Sequence, residues 1–209
     1  MTTSVELSST DATDVLPLSR EARDLLFQQA HTANTFTDEP VTDEQVRAIY
    51  ELVKWAPTSM NTQPLRVTLV RSPEARTRLV EHMSPGNKAK TSTAPLVAVL
   101  TADRQFHEHL PVLVPHLPNA KDNFADDTRR ESFAAFNGAL QVGYFIIGVR
   151  AAGLAAGPMT GYDAAALERD LFADGTQKVL AVVNIGRPGP EAFRPRAPRL
   201  GFEQVVTTI

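Results

Sequence analysis

Residues 95–101 read PLVAVLT, an almost continuously apolar run. A short run of this composition is typical of a strand that is covered on both faces, so we expect it at the centre of a sheet. Working outward, residues 66–71 (RVTLVR) alternate β-branched and polar side chains and predict a second strand. Residues 179–185 predict another strand.

Helix signals surround these strands, because capping residues precede segments with apolar residues at three- and four-residue spacing. They predict a helix from Ser19 to about Ala33, one from Thr42 to before Pro57, one capped by Ser72, and one near Asp163 to Phe172. The visible strands are few and do not alternate regularly with helices. This pattern favours an α+β fold over a doubly wound α/β fold.

Residues 128–152 predict the longest helix of the chain. One stripe contains Phe133, Phe136, Leu140, Tyr144 and Ile147, and a second contains Val142, Phe145 and Val149. A helix that is apolar on two sides needs two partners. The sheet can cover one side, and a second copy of the chain can cover the other, so the pattern predicts a homodimer.

Composition limits the classes of function. The chain has 209 residues with 43% hydrophobic content, which predicts a single domain over residues 18–209. Residues 1–17 begin with seven Ser or Thr in thirteen positions and predict a disordered tail. A net charge of −3 gives no general attraction to nucleic acid or to a membrane, so a small molecule is the expected partner.

The N-terminal sequence lacks the pattern of a secretory signal. No Lys or Arg precedes Arg20 and no apolar core follows Met1, so we expect a cytoplasmic protein without a secretory signal. The apolar stretch 138–157 contains Gln141 and Arg150, which are costly inside a bilayer, and it predicts a core helix.

Several chemistries lack their sequence signatures. The chain contains no cysteine. It also lacks the glycine-rich motifs that bind nucleotides, the G-x-S-x-G motif of hydrolases and the H-E-x-x-H motif of zinc proteases. The spacing of His107, His109 and His116 does not favour shared metal ligation, so no metal site is predicted. Redox chemistry, if present, requires a bound cofactor.

Residues 55–65 read WAPTSMNTQPL and follow a predicted helix directly. Taken alone, such a run of hydroxyl and amide side chains can be a capped loop. It also closely resembles the flavin-binding loop of the nitroreductase family. Further resemblances follow in order along the chain: SPGNKAK at 84–90, GLAAGPMTGYD at 153–163, NIGRP at 184–188 and PRAPRL at 195–200.

The resemblance implies a three-layer α+β fold, with a mostly antiparallel central sheet between helices, in an intertwined homodimer. It also implies an FMN cofactor and NAD(P)H as co-substrate. Three motifs are most similar to those of the malonic semialdehyde reductase branch of the family: LPVLVPH at 110–116, GPMTGYD at 157–163 and APRLGFE at 197–203. That branch implies reduction of malonic semialdehyde to 3-hydroxypropanoate in pyrimidine catabolism, by hydride transfer from NAD(P)H to FMN and then to the aldehyde. A broad nitro or quinone reductase and a non-catalytic flavin-binding protein are the alternatives.

Carried over to this chain, the resemblance assigns flavin contacts to residues from distant segments. They are His31, Thr32, Asn34, Thr58, Ser59, Asn61, Gln63, Asn87, Lys90, Pro158, Met159, Thr160, Gly161, Arg196 and Arg199. Lys90 would stabilise negative charge on the reduced ring, a backbone N–H of Thr160 or Gly161 would reach its N5 atom, and the two arginines would hold the phosphate. Composition alone also allows Lys90 to be a solvated surface residue and the arginines to belong to a solvated arm.

Two positions of the site are less defined. Family members usually carry arginines ahead of the aromatic residue that is Phe36 here, whereas this chain has HTANT at 31–35. Protonated His31 could replace one contact, but the lost charge predicts weaker FMN retention and a partly flavin-free purified protein. His116 is a candidate proton donor and equally a structural residue, and residues 110–123 are where we expect a substrate carboxylate to bind.

Overall fold

A computed structural model describes residues 15–209. The predicted tail, residues 1–17, lies outside the described residues except for its last three positions. The strands are β1 (Leu65–Val70), β2 (Leu96–Asp103), β3 (Ala155–Met159) and β4 (Gln177–Gly186). The helices are α1 (Arg20–Arg23), α2 (Asp43–Val53), α3 (Pro73–His82), α4 (Pro85–Thr93), α5 (Leu110–Leu113), α6 (Asp127–Ala151), α7 (Ala164–Leu171) and α8 (Phe202–Val205).

The four strands of the described residues form one sheet in the order β1-β2-β4-β3, and each neighbouring pair is antiparallel. Every residue of β2 is buried, as its apolar run predicts. Successive side chains of a strand point to opposite faces. Leu96, Ala98 and Leu100 accordingly face one core, and Val97 and Val99 face another.

Helices cover both faces of the sheet. On one face, Ile49 and Val53 of α2 and Phe145 and Val149 of α6 pack on the strands. On the other face, residues of α3 and α7, among them Leu79 and Leu167, complete a second core. The expected three-layer α+β fold is therefore confirmed.

The predicted caps form where the sequence places them. Ser19 and Ser72 each accept a hydrogen bond from a backbone N–H three residues on, and Thr42 with Gln45 forms the expected capping box. Asp163 caps α7 in the same way. These side chains satisfy backbone donors that the first helical turn leaves free.

The first helix is shorter than its periodicity predicts. After α1 the chain continues as a π-helical turn, Asp24–Gln28, and residues 29–33 are not helical. Ala33 is buried there, and its N–H donates to the carbonyl oxygen of Ala156 at 3.0 Å. This segment thus binds beside β3, and this tertiary contact outweighs the local helix propensity of residues 29–33.

Helix α6 behaves as a core helix that is covered on one side. By length and composition alone it could span a membrane, but it contacts all four strands and buries Asn137 and Gln141. Its opposite stripe is open: Phe136 is 66% exposed, Leu140 43% and Tyr144 45%.

Candidate functional site

A cleft with a volume of about 530 Å³ lies where the chain segment before Phe36, helix α4, the end of α6 and the C-terminal arm meet. The C-terminal arm is defined here as residues 189–209. Residues from all four segments line the cleft: Ala30, His31, Thr32, Asn34, Gly86, Asn87, Lys90, Arg150, Arg194, Pro195, Arg196, Ala197 and Arg199. Seven of the fifteen predicted flavin contacts are therefore brought together, namely His31, Thr32, Asn34, Asn87, Lys90, Arg196 and Arg199.

Local structure explains how these side chains converge. Asn87 and Lys90 stand three residues apart on α4, so they share one face of that helix. The arm is fastened to the opposite wall by backbone hydrogen bonds, in which Asn34 N donates to Ala192 O at 2.9 Å and Gly189 N donates to Thr35 O at 3.1 Å. Lys90 Nζ donates across the cleft to Asn34 Oδ1 at 3.5 Å.

The cleft is strongly cationic. Five of its lining residues are Lys or Arg, and none of the Asp or Glu residues in the described part of the chain lines it. Among residues 15–209, none of these five cations forms an ion pair with a carboxylate. Burial, together with repulsion from Arg194, lowers the pKa of Lys90, and burial with repulsion from Arg196 lowers the pKa of Arg150. Such a site gains free energy when an anion binds.

One residue that lines the cleft has a buried donor without a partner within the described residues. The Nε atom of Arg150 is buried without a hydrogen-bond acceptor. A buried, unsatisfied donor is costly, and an anionic oxygen is the acceptor that a guanidinium binds best. The donor set of the cleft therefore fits a phosphate ester whose attached polar body can contact amide and hydroxyl groups.

The arginines of the cleft make contacts that differ from those predicted from the sequence. One guanidinium nitrogen of Arg196, Nη2, donates to Gln28 O at 2.6 Å and to Ala30 O at 3.1 Å, so it holds the wall of the cleft. Arg199 donates to two carbonyls of its own arm. Arg150 and Arg194 also line the cleft, and sequence analysis had not assigned either of them to the site.

The loop that carries the strongest resemblance lies elsewhere. Asn61 and Gln63 have φ angles of 51° and 44°, in the left-handed region that residues other than glycine rarely occupy. Asn61 Nδ2 donates to Leu113 O at 3.1 Å, Gln63 N donates to Thr58 Oγ1 at 3.2 Å, and Ser59 N donates to Asn137 Oδ1 at 2.7 Å. These bonds hold a strained backbone, which is a feature that clusters at functional sites.

Within one chain this loop and the cationic cleft are separate. The loop is bound to Asn137, whereas Arg150 lines the cleft, and the two residues stand thirteen positions apart on α6. At 1.5 Å per residue this separation is about 20 Å along the helix axis. Thr58, Ser59, Asn61 and Gln63 are therefore not among the residues that line the cleft.

The segment from Pro158 to Gly161 is joined to the cleft by Asn87, whose Nδ2 donates a hydrogen bond to Gly161 O. Pro158 and Met159 belong to edge strand β3, and the turn between α6 and this strand contains Gly153, whose φ is 73°. Met159 is buried with its sulfur 3.8 Å from Thr91 Oγ1, so its side chain faces the core. Thr160 is exposed beyond the strand end.

His116 is exposed in a turn after α5 and does not line the cleft. Its role as a proton donor stays a prediction. The stretch 110–123, where we expect a substrate carboxylate, contacts the strained loop through the Asn61–Leu113 bond. In residues 15–209 no three His, Asp or Glu side chains are grouped so that they could hold a metal ion.

Comparison with known proteins identifies the family. The model of the nitroreductase family matches residues 28–187. A Streptomyces griseus protein, named as an NADH dehydrogenase/NAD(P)H nitroreductase, is 63% identical over 93% of this chain and 99% of its own. A protein of the same name from Leptothrix cholodnii is 47% identical over 96% of this chain and 100% of its own.

Solved structures agree with the sequence comparison. A nitroreductase-type protein of Exiguobacterium sibiricum, solved in complex with FMN, superposes with a TM-score of 0.80 at 17% identity, over 91% of this chain and 98% of its own. One from Bacillus subtilis gives a TM-score of 0.80 at 22% identity, over 90% and 99%. The TM-scores establish the shared fold. The family match over residues 28–187, with relatives that are 63% and 47% identical, shows that the chain belongs to the nitroreductase family.

Proposed function

We propose that the chain is an FMN-dependent oxidoreductase that takes electrons from NAD(P)H. The cationic cleft is the observation that carries the proposal, because five cations that form no ion pair within residues 15–209 lie next to amide and hydroxyl groups and suit a phosphorylated polar heterocycle. The FMN complex of the Exiguobacterium relative and the NAD(P)H in the names of the curated relatives support it. Bound FMN would supply hydride transfer between NAD(P)H and an acceptor.

The residues of the cleft would then divide into two groups. The arginines, with His31 and Thr32, would hold the phosphate at one end of the cleft. Lys90, Asn87 and Asn34 would contact the ring end, where the Lys90 ammonium favours a ligand that carries negative charge. These groups are fixed before binding by α4 and by the fastened arm, so little reorganisation is needed.

We further propose that the site is completed by a second copy of the chain. The exposed stripe of Phe136, Leu140 and Tyr144 on α6 needs a partner, and Thr58, Ser59, Asn61 and Gln63 lie near the same helix but far from the cleft. In a homodimer, the strained loop of one protomer would face the cleft of the other. This arrangement would allow the predicted contacts of the loop and of the cleft to act on one cofactor.

For the acceptor we propose a small aldehyde acid, with malonic semialdehyde as the specific candidate in pyrimidine breakdown. The motifs at 110–116, 157–163 and 197–203 support this choice, and the first of them begins in a segment bonded to the strained loop. The second candidate is a broad nitro or quinone reductase. The names of the relatives favour it, and so does the exposure of Thr160 at the end of β3. In either case we place the protein in the cytoplasm, as one domain over residues 18–209.

One spectroscopic series tests these proposals. The purified protein is titrated with FMN, and the bound flavin spectrum is followed anaerobically after addition of NADH or NADPH. Bleaching by either nucleotide supports the oxidoreductase, and its absence with saturating bound FMN leaves only a flavin-binding protein. Malonic semialdehyde, a nitroaromatic and a quinone are then compared as reoxidants, and the largest kcat/KM assigns the acceptor class.

A further inference from the structure

Arg150 occupies a distinctive position in the cleft. It extends from the last turn of α6, a helix of 25 residues that the sheet holds in place. It lines the cationic cleft and also a neighbouring pocket on the other side of Ala30 and His31. Arg150 therefore lies next to Ala30 and His31, which line the same two pockets.

The hydrogen bonds of Arg150 are incomplete within the described residues. Nη1 donates to Leu26 O at 3.4 Å, a long contact, and the buried Nε has no acceptor. Its pKa is lowered by burial and by Arg196, so the ligand-free protein holds this cation at a cost. A partly buried charge without a partner gains most from an incoming counter-ion.

The other arginines are less free to serve an anion. Arg196 uses Nη2 to hold the carbonyls of Gln28 and Ala30, and Arg199 donates to the carbonyls of Ala197 and Pro198. Arg194 is exposed on the arm. Arg150 by contrast is partly buried and its Nη1 already contacts Leu26 O, so its side chain loses less rotamer freedom on binding.

Helix geometry strengthens the argument. The C-terminal end of α6 carries a partial negative charge that would repel an anion. Arg150 in the last turn offsets this charge and presents its donors to the cleft. Arg150 therefore makes this end of the helix more favourable for an anion.

We propose that Arg150 is the principal ligand for the phosphate monoester of the flavin cofactor and makes the site select FMN over riboflavin. The inference rests on the proposed function, because it assumes that the ligand is a flavin. It also revises the expectation of weak FMN retention from the sequence HTANT at 31–35. Arg150 of α6 supplies the positive charge that this segment lacks.

The test compares two ligands that differ only in the phosphate. Flavin-stripped protein is titrated with FMN and with riboflavin, and Kd is measured from flavin fluorescence for wild type, Arg150→Gln and the control Arg129→Gln. Arg129 is exposed in the first turn of the same helix. Loss of a charge-assisted contact predicts that Arg150→Gln weakens FMN binding about 10- to 100-fold and leaves riboflavin within about threefold. Arg129→Gln should change neither value.

Equal losses for both ligands, or no loss for either, overturn the proposal. If Arg150→Gln does not fold, Arg150→Lys replaces it: lysine keeps the charge but lacks Nε and the planar fork, so FMN affinity should still fall about tenfold with riboflavin unchanged. An unaltered FMN affinity in Arg150→Lys then overturns the proposal. If the Arg150 effect is present but NAD(P)H does not reduce the bound flavin, the proposed function fails and the phosphate assignment stands.

Discussion

Asn87 Nδ2 donates to the carbonyl oxygen of Gly161 at 2.9 Å, and this bond joins helix α4 to the chain just beyond β3. The contact is possible because Gly161 has no side chain. A Cβ atom there would lie 2.7 Å from Asn87 Nδ2 and 3.2 Å from Ser84 Oγ. One wall of the cleft and the segment 158–161 therefore hold each other in place.

We expect Gly161→Ala to displace Asn87 and to weaken FMN binding about tenfold, which corresponds to the loss of about one good hydrogen bond. Titration of Gly161→Ala, Asn87→Ala and the double variant measures the coupling. The double variant should bind no more weakly than Asn87→Ala, because the second change removes an interaction that is already lost.

Gly201→Ala is a suitable control, since a Cβ at Gly201 would meet only Gln204 Oε1 at 3.7 Å. It should leave the FMN affinity unchanged. Independent, additive losses in the double variant would contradict the proposed role of the Asn87–Gly161 bond.

A second prediction concerns the support of the strained loop. Asn137 is 1% exposed, and its Oδ1 accepts from Ser59 N at 2.7 Å while its Nδ2 donates to Phe133 O at 3.0 Å. Asn137→Leu leaves the Ser59 N–H without an acceptor in a partly buried place. The free energy of unfolding should fall by about 1–3 kcal/mol, and Tm by about 2–12 °C.

Differential scanning calorimetry of Asn137→Leu measures this loss. Asn119→Leu is the matched control, because Asn119 is exposed and its side chain makes no capping hydrogen bond to the 3₁₀ turn that follows it. A Tm change in Asn137→Leu no larger than that of Asn119→Leu would show that the bond to Ser59 is dispensable.

Local sequence patterns predicted the elements that have strong periodicity. Strand β2 and helix α6 were expected at 95–101 and 128–152, and they occupy Leu96–Asp103 and Asp127–Ala151. Every residue of β2 is buried, and so are Phe145 and Val149 in the second stripe of α6, so tertiary structure and local pattern agree there. Phe136, Leu140 and Tyr144 of the first stripe stay exposed within one chain.

Strand β3 and helix α4 were missed for identifiable physical reasons. β3 reads AAGPM, and glycine and proline are unfavourable in a strand interior. Proline is tolerated because β3 is the edge strand and pairs on one side only, with β4. Helix α4 reads PGNKAKTST and has almost no apolar residues. No apolar periodicity therefore predicts this helix, although Thr91 is fully buried in the structure.

The cleft could be predicted only in part. The family resemblance selected Asn87, Lys90 and Arg196, but not Arg150, which in sequence is one charge within an apolar helix. Its neighbours Leu26 and His31 lie more than a hundred residues away along the chain. Such a contact is set by tertiary packing, which a local pattern does not contain.

A third prediction follows from the lowered pKa of Lys90. Burial and Arg194 disfavour its ammonium in the ligand-free fold, so the proton is lost below the ordinary lysine value of 10.5. The unfolded chain holds that proton more tightly, and Lys90 therefore opposes folding at neutral pH and opposes it less as pH rises. A bound anion reverses the effect and raises the pKa again. FMN affinity should therefore decrease as pH rises toward 10.5.

Lys90→Arg separates this effect from titration of the ligand. Arginine stays charged throughout the range, so its FMN affinity should change less between about pH 7 and about pH 10. Kd from flavin fluorescence at several pH values gives both curves. Parallel curves for wild type and Lys90→Arg would show that Lys90 does not titrate during binding.

The last prediction concerns assembly. Phe136, Leu140 and Tyr144 form an exposed apolar stripe on α6, and an apolar stripe of this kind on a globular chain marks an interaction surface. Leu140→Glu places a charge in that stripe, where a dimer interface would remove it from water at a cost of several kcal/mol. We expect sedimentation equilibrium to show a folded monomer.

Because the strained loop and the cleft lie about 20 Å apart along α6 in one chain, a monomer cannot surround one flavin with both. FMN affinity of Leu140→Glu should therefore decrease together with the dimer fraction, and raising the protein concentration should restore both. Thr128→Glu, at an exposed position in the first turn of the same helix, should leave both unchanged, since a carboxylate is favourable at a helix N-terminus. If Leu140→Glu is monomeric and still binds FMN as tightly as wild type, the cleft of one chain is sufficient, and the contacts assigned to Thr58, Ser59, Asn61 and Gln63 must be withdrawn.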